Sequence, residues 1–522
     1  MGRGAWGSPD ASVIAVRPQR VAIGRGDGFN APLPTLYSPL STLHALASPH
    51  APRRACVTVI VLIADGARHD AFDGALDGLP ALRRLREEGG LHRVTSVFPS
   101  VTGPAYTPFL MGRFPGAVGL PGLRWYDRAR TACGWPDYAR SYVGYEMGRI
   151  DRDLDPTAPT IFELVPKSVA AMSVVTRGLS RAGQVGGITP ASALRAATTH
   201  FRGQAERWLD VDREVADELL RRVRGGRPDY LFAALTGVDK ASHARGHEDA
   251  LVHAALRIVD DTVARLRDVA ERSGWWSDTH LWITSDHGHS AVHTHDDLAG
   301  AVAALVLRTA AHPWSARLAA DAAVMVSGNA MAHVYVELGE RQPPGWPRLT
   351  RRWSALADTL LARPSVDLLL LPHDDNRCEV RSAARGHAFV ERHGGSFHYR
   401  RLDGGDPLGH GADLIGTADE TFDATRGGAY PDAIVQISRL AGSARAGDFI
   451  LSAAPGFDFR DRYEPIPHLS AHGALHREHM LVSLLANRAP SRTPRRTTDV
   501  FASTLAALGV APPTVMDGSS FL

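Results

Sequence analysis

Acidic and histidine side chains follow short apolar runs at several points in the sequence. Asp65 comes directly after Val57–Ala64, and Asp239 comes shortly after Asp229–Leu235, with His243 four residues further on. Asp286 and His287 close a third such stretch. Carboxylate oxygens and imidazole nitrogens, taken in threes and fours, are suitable ligands for Zn²⁺ and for neighbouring transition metals. These residue types therefore indicate a metal site, provided that the fold brings the three stretches together.

The apolar runs predict the elements that position these side chains. Val57–Ala64 is continuous and rich in β-branched residues, which is typical of a strand buried in a parallel sheet. A long helical pattern, with its apolar stripe from Leu251 to Ala270, separates the second run from the third. Strands that alternate with helices predict an α/β fold around a mostly parallel sheet. Because ligands bind at the carboxyl ends of such strands, the three stretches are expected to meet there.

Two further residues complete the predicted constellation. Thr102 lies in the turn-rich segment Phe98–Pro104, and His472 lies in Ser470–Gly473. We predict one ion held by Asp65, Asp286, His287 and the Thr102 oxygen, and another held by Asp239, His243 and His472. His289 and other histidines beside these residues are interpreted as lying outside the ligand sets. Three carboxylates and a threonine alkoxide would balance two divalent ions, so the site could accept a monoanionic phosphodiester.

These motifs, in this order, resemble the alkaline phosphatase superfamily, and most closely its type I phosphodiesterase/nucleotide pyrophosphatase family. The resemblance runs from about residue 57 to residue 522 and rests on Asp65-Gly66, Pro99-Ser-Val-Thr102-Gly-Pro104, Asp239-x-x-x-His243, Ser285-Asp-His-Gly288 and His472-Gly473. It implies an α/β/α sandwich with a smaller α+β insertion. It also implies a hydrolase with two divalent ions, Zn²⁺ before Mn²⁺, in which Thr102 attacks phosphorus and forms a phospho-enzyme. The expected substrate is a small-molecule phosphoester, with nucleotides among the candidates.

One departure from the family pattern keeps alternatives open. The family has an asparagine three residues after the threonine, which binds a non-bridging phosphate oxygen, and Ala105 stands there in this chain. Lys240, one of only two lysines with Lys167, is the candidate substitute and is predicted to be catalytic. A phosphomonoesterase or phosphonate hydrolase on the same metals is one alternative, and a catalytically silent metal-binding relative is another. Trp125 and Tyr126 either stack on a nucleobase or pack at the rim of the site.

The order of patterns along the chain predicts its organisation. Residues 1–55 are interpreted as a loosely ordered extension, residues 56–522 as the catalytic domain, and residues 340–430 as an α+β segment inserted into it. The runs Asp448–Ala453 and Met480–Ala486 are expected to return to the main sheet.

Composition and charge exclude several other classes of function. The net charge of +2 gives no reason to expect a nucleic acid polymer or a membrane surface as partner. The first 30 residues contain no apolar core of a signal peptide, and no apolar run approaches the length of a membrane span, so we predict a cytoplasmic protein without a membrane partner. The sequence leaves the natural substrate and the oligomeric state open.

Overall fold

A computed structural model describes residues 57–133, 139–142, 144–186, 194–195, 198–199, 202–306, 308–311, 320–460 and 466–522. The chain divides into Met1–Arg54 and Ala55–Leu522, and only the second of these units is described below. The predicted extension, residues 1–55, lies outside the described residues, so its loose order stays a prediction.

The strands of the described residues form four sheets. In chain order they are β1 (Thr58–Ala64), β2 (Leu91–Thr95), β3 (Arg124–Tyr126), β4 (Ala139–Ser141), β5 (Ser168–Ala171), β6 (Gln184–Val185), β7 (Tyr230–Leu235), β8 (Thr279–Thr284), β9 (Ser290–His295), β10 (Thr309–Ala310), β11 (Ala322–Ser327), β12 (Met331–Val336), β13 (Val366–Asp374), β14 (Arg377–Ser382), β15 (Gly386–His393), β16 (Ser396–Leu402), β17 (Leu414–Thr417), β18 (Phe449–Ala453), β19 (Gly456–Asp458), β20 (Ser470–Ala471) and β21 (Leu481–Ala486).

The α-helices lie between these strands. Their bounds are His69–Ala75, Pro80–Gly89, Thr107–Met111, Ile161–Leu164, Glu206–Gly225, Gly237–Arg245, Ala250–Arg272, Leu298–Leu305, Trp346–Leu361, Ala418–Thr425, Ala433–Ala441, Arg477–Met480 and Thr498–Leu508. Within the described residues, no helix combines the length and the apolar character needed to cross a bilayer.

The central sheet has seven strands in the order β2-β21-β8-β1-β7-β5-β6. β1 runs parallel to both β7 and β8. The antiparallel pairs of this sheet are β2 with β21 and β21 with β8. Val59, Val61 and Ile63 pack into one apolar cluster and Ile60 and Leu62 into another. A strand buried on both faces explains why β1 has an uninterrupted apolar sequence. The predicted α/β fold around a mostly parallel sheet is confirmed.

A second sheet has nine strands in the order β10-β11-β12-β18-β13-β14-β15-β16-β17. The helix Trp346–Leu361 packs on one face and the helix Ala433–Ala441 on the other. Residues 340–430 supply β13 to β17 to this sheet, and their separation as an inserted segment stays a prediction.

One strand lies in a different sheet from the one predicted. The run Met480–Ala486 does join the central sheet as β21, but Asp448–Ala453 does not join it. β18 instead pairs antiparallel with β12 and β13 in the nine-stranded sheet. β18 is fully buried, so its apolar run looks like that of a central parallel strand, and the sequence pattern does not distinguish the two sheets.

Candidate active site

The carboxyl ends of three neighbouring strands carry the acidic groups of the site. Asp65 follows β1, Asp286 follows β8, and Asp239 lies in the first turn of the helix Gly237–Arg245 after β7. All three side chains are buried. Gly66 has a φ of 75° there, and a Cβ at this position would lie 2.8 Å from His289 Nε2 and 3.0 Å from Asp239 Cα. A glycine is therefore required where the backbone passes between these residues.

Thr102 reaches the same edge from a turn distant in sequence. Its Oγ1 lies 3.1 Å from Asp65 Oδ1 and 3.0 Å from His287 Nε2. Thr102 is half-buried, whereas the carboxylates and His287 are fully enclosed. Thr102 is thus the accessible residue of this group.

The short pairing of β20 with β9 brings His472 into the site. Ala471 lies opposite Ser290, which places His472 beside the segment that carries His287. The two imidazole rings stack with centroids 3.7 Å apart and planes 8° from parallel.

The structure brings potential ligand atoms together in two overlapping groups, which differ in part from the predicted sets: His289 belongs to the second group and His243 does not. Asp65, Asp286 and His287 offer ligand atoms within 4.8 Å of one another, and so do Asp239, His287, His289 and His472. His243 approaches the second group, with its Nε2 3.2 Å from Asp239 Oδ1.

Two residues that sequence reasoning left out of the ligand sets contact the site directly. His289 Nε2 lies 3.0 Å from Asp239 Oδ1, and the Tyr106 hydroxyl donates to Asp65 Oδ2 at 3.2 Å. The extended motif Asp286-His-Gly-His289 could have indicated His289 as a residue of the site. No sequence pattern indicates Tyr106, because the direction of its side chain depends on the turn that follows Thr102.

The hydrogen bonds of the imidazoles show that the site fits metal ions. Nδ1 of His243, His287 and His472 lies 2.8, 3.2 and 2.9 Å from the backbone carbonyls of Ser470, Gly288 and Ser100. A carbonyl only accepts, so each Nδ1 carries a proton, and in the neutral rings of His287 and His472 the Nε2 atom presents a lone pair. These two lone pairs face carboxylate oxygens of Asp65 and Asp239, which are also acceptors. Metal cations between these atoms would relieve this arrangement, and an outer partner on Nδ1 is usual for a metal-bound histidine.

Burial and mutual repulsion govern the charges of the site. Burial, followed by the neighbouring Asp286 and Asp239, raises the pKa of Asp65 well above its usual value. Burial likewise raises the pKa of Asp286 to about 7. Burial acts in the same direction on Asp239, but Lys240 and then His243 outweigh it and hold the pKa of Asp239 well below its usual value. Burial lowers the pKa of His287 to about 4 and that of His472 well below its usual value, so both rings are neutral and able to bind a metal.

Lys240 lies at the site rather than on an open surface. Its Nζ is 2.7 Å from Asp239 Oδ2 and 5.9 Å from the centre of the Trp208 ring, and its side chain is 32% exposed. Ala105 is fully buried in the apolar cluster that also contains Phe98 and Phe114. Position 105 therefore supplies no side-chain donor, and Lys240 contacts Asp239 of the site.

Trp125 and Tyr126 pack inside the protein. Trp125 is fully buried against Tyr142, with ring centroids 5.4 Å apart, and Tyr126 is 7% exposed. Neither ring is free to stack on a nucleobase in this conformation.

Comparison with known proteins agrees with this geometry. A model of the type I phosphodiesterase/nucleotide pyrophosphatase family matches residues 59–352, more than half of the 522-residue chain. None of the curated protein sequences compared with the chain matches it.

Solved structures of two kinds share the fold at low sequence identity. Phosphonoacetate hydrolase from Sinorhizobium meliloti 1021, in complex with phosphonoformate, is 17% identical with a TM-score of 0.51, over 87% of this chain and 96% of that one. An inactive threonine-to-alanine variant of murine ectonucleotide pyrophosphatase/phosphodiesterase 5, in complex with AMP, is 14% identical with a TM-score of 0.52, over 89% and 97%. The human form of that protein is 14% identical with a TM-score of 0.53, over 88% and 97%.

Proposed function

Because the chain belongs to the type I phosphodiesterase/nucleotide pyrophosphatase family, we propose that it cleaves phosphodiester or pyrophosphate bonds through a phosphorylated Thr102. Members of this family are metal-dependent phosphoester hydrolases. The observation that carries the proposal is the position of the Thr102 hydroxyl, half-buried and within 3.1 Å of Asp65 and His287, which are candidate metal ligands. The inactive threonine-to-alanine form of the murine protein supports a nucleophilic threonine.

The residues of the site would hold two divalent ions. Asp65, Asp286, His287 and the Thr102 oxygen form one ligand set, and Asp239, His243 and His472 form the other. The mixture of nitrogen and oxygen donors favours Zn²⁺, with Mn²⁺ as the alternative. When bound, the ions supply positive charge and Lewis-acid polarisation at the phosphoryl group.

The reaction divides into two displacements at phosphorus. Thr102 Oγ1, its proton released to solvent, forms a bond to phosphorus while the bond to the leaving oxygen breaks, and the leaving oxygen takes up a proton from solvent. Water then attacks the phosphorylated threonine, the Thr102 Oγ1–phosphorus bond breaks, and the hydroxyl is restored. Tyr106 holds the second oxygen of Asp65 and so keeps its first oxygen directed towards Thr102.

Lys240 is proposed to contact a non-bridging phosphate oxygen in place of the family asparagine. Its ammonium group is already within 2.7 Å of Asp239, a member of the same site. A donor directed at developing charge in a water-poor site typically contributes about 10²–10³ in rate.

Lys240 also favours a second candidate function, hydrolysis of phosphomonoesters or phosphonates. A dianionic phosphoryl group needs one more positive charge than a diester, and Lys240 supplies a charge beyond that of two metal ions. The phosphonoacetate hydrolase among the structural neighbours fits this candidate.

Hydrolysis rates of the full chain, loaded with Zn²⁺ or Mn²⁺, test the proposal. We expect bis(p-nitrophenyl) phosphate to be cleaved with a higher kcat/KM than p-nitrophenyl phosphate. A clear preference for the monoester would replace the first candidate by the second. Absence of turnover on both, with two metals bound, would contradict both candidates. The cytoplasmic location predicted from the sequence stays a prediction.

A further inference from the structure

A buried carboxylate outside the candidate ligand set holds the start of the helix Gly237–Arg245, which carries Asp239 and His243. Asp212, in the helix Glu206–Gly225, is 1% exposed. Its Oδ1 accepts the backbone N–H of Thr236 at 2.9 Å, and its Oδ2 accepts that of Gly237 at 2.7 Å. Among the described residues, no arginine, lysine or histidine forms an ion pair with Asp212. Its charge is therefore compensated mainly by two N–H groups and the positive end of a nine-residue helix.

The contact between Asp212 and Gly237 is close. A Cβ at position 237 would lie 2.6 Å from Asp212 Oδ2. The glycine therefore lets the carboxylate reach the backbone just where the ligand helix begins. Asp239 follows two residues later and His243 one turn after that, so the position of the first turn determines where both ligand atoms lie.

Two other polar contacts join the same long helix to the ligand helix, and both are weaker. Glu206 pairs with Arg245 at 2.9 Å, but the two side chains are 60% and 51% exposed, and exposed pairs contribute little. Trp208 lies beside Lys240, with 5.9 Å between Nζ and the ring centre. Asp212 thus makes the buried polar contact between these two helices.

Removing an ionised carboxylate from water at this position costs free energy. Burial raises the pKa of Asp212 to about 7, although its two backbone hydrogen bonds act in the opposite direction. An apolar residue in the core would avoid that cost, but it would leave the N–H groups of Thr236 and Gly237 unsatisfied.

We propose that Asp212 is a positioning residue for the metal site formed by Asp239, His243 and His472. Asp212 fixes the start of the ligand helix. The far end of that helix is tied to the segment before His472, because Leu469 N donates to the His243 carbonyl at 2.8 Å and His243 Nδ1 bonds the Ser470 carbonyl at 2.8 Å. With both ends fixed, Asp239 and His243 stand at a set distance from His472. This inference rests on the proposed metal pair and does not depend on the substrate.

The test is metal retention by the full chain, measured without substrate. Wild type and Asp212→Asn are loaded with Zn²⁺, dialysed against increasing chelator and analysed for zinc per chain. An asparagine can accept only one of the two N–H groups and turns a donor towards the other. We expect Asp212→Asn to lose one of its two ions at a chelator concentration about 10-fold lower than wild type, and to keep the second ion as wild type does. Asp217→Asn, an exposed carboxylate of the same helix, should retain both ions.

A second variant covers the case in which Asp212→Asn does not fold. Gly237→Ala keeps the carboxylate but places a methyl group against it, and we expect selective loss of the same ion. If every folded variant retains both ions as wild type does, the positioning role is wrong. If wild type itself binds less than one ion per chain, the proposed metal site fails instead, so the two failures are distinguishable.

Discussion

Buried carboxylates are neutralised differently in the two large sheets. Beside the nine-stranded sheet, Asp448 pairs with Arg128 while both side chains are almost completely enclosed, and Asp367 pairs with Arg385 at 2.7 Å. At the carboxyl edge of the central sheet, Asp65 and Asp286 form no ion pair with an arginine or lysine of the described residues. Arginines of the chain itself thus balance Asp448 and Asp367. Asp65 and Asp286, which lie close together without such partners, mark a place for cations from outside the chain.

The largest expected effect is loss of turnover on removal of the Thr102 hydroxyl. Thr102→Ala removes the nucleophile but keeps all three carboxylates, so kcat should fall by about 10⁴-fold or more. Steady-state rates on the better of the two nitrophenyl substrates, together with zinc per chain, measure this. Thr102→Ser should recover part of the activity. Wild-type turnover by the alanine variant would rule out Thr102 as the nucleophile.

The second prediction concerns the buried ion pair of Arg128 and Asp448 beside the nine-stranded sheet. Arg128→Met leaves Asp448 buried without its partner, which should cost about 3–5 kcal/mol of unfolding free energy. Because this pair lies outside the metal site, the loss should be equal with metal and with chelator, and zinc per chain should not change. Denaturant unfolding of both forms provides the measurement. Arg352→Met, at a 68% exposed arginine, is the matched control and should change stability little. A loss of bound zinc in Arg128→Met would contradict the separation of the two regions.

The third prediction compares an aspartate-to-asparagine substitution at Asp286 with the same substitution at Asp448. We expect the two to change the free energy of unfolding in opposite directions. In chelator-treated protein, Asp286→Asn removes a poorly balanced buried charge, so at pH 8 it should stabilise the fold by about 1–3 kcal/mol. Asp448→Asn should destabilise the fold, because it leaves Arg128 without its carboxylate.

The dependence on pH follows from the raised pKa of Asp286. The folded state holds this proton up to about pH 7, whereas the unfolded chain releases it near pH 4, so wild type loses stability across that interval through this group. The advantage of Asp286→Asn over wild type should therefore grow from pH 4 to pH 7. A constant difference over that range would show that Asp286 is ionised throughout.

The smallest expected effect is at Tyr106. Tyr106→Phe removes the hydrogen bond to Asp65 and should lower kcat/KM by about 2- to 10-fold with both metals retained. Tyr399→Phe removes the hydrogen bond to Asp406 beside the nine-stranded sheet and should leave kcat/KM unchanged. Equal effects of the two substitutions would mean that Tyr106 acts through stability alone.

Some features of the fold and the site could be predicted from apolar runs and motif order, whereas others depend on how side chains pack. Asp65 and Asp286 follow fully buried strands of one parallel sheet, and that topology brings strand ends together, so their proximity could be inferred from the runs. The positions of Thr102 and His472 came from motif order, since no local pattern links a turn and a short strand to this edge. His289 and Tyr106 were missed because only the packed structure fixes the direction of their side chains. β18 was assigned to the wrong sheet because burial on both faces gives the same apolar run in either sheet.

The proposed function depends most directly on cations that bind beside Asp65, Asp239 and Asp286 at the carboxyl edge of the central sheet. The measurement that tests this is calorimetric titration of Zn²⁺ into the chelator-treated full chain, with metal analysis of the product. We predict two ions per chain, and loss of both tight sites when Asp239 and Asp286 are replaced together by asparagine. Binding of less than one ion per chain, with phosphodiester turnover unaffected by chelator, would contradict a two-metal site.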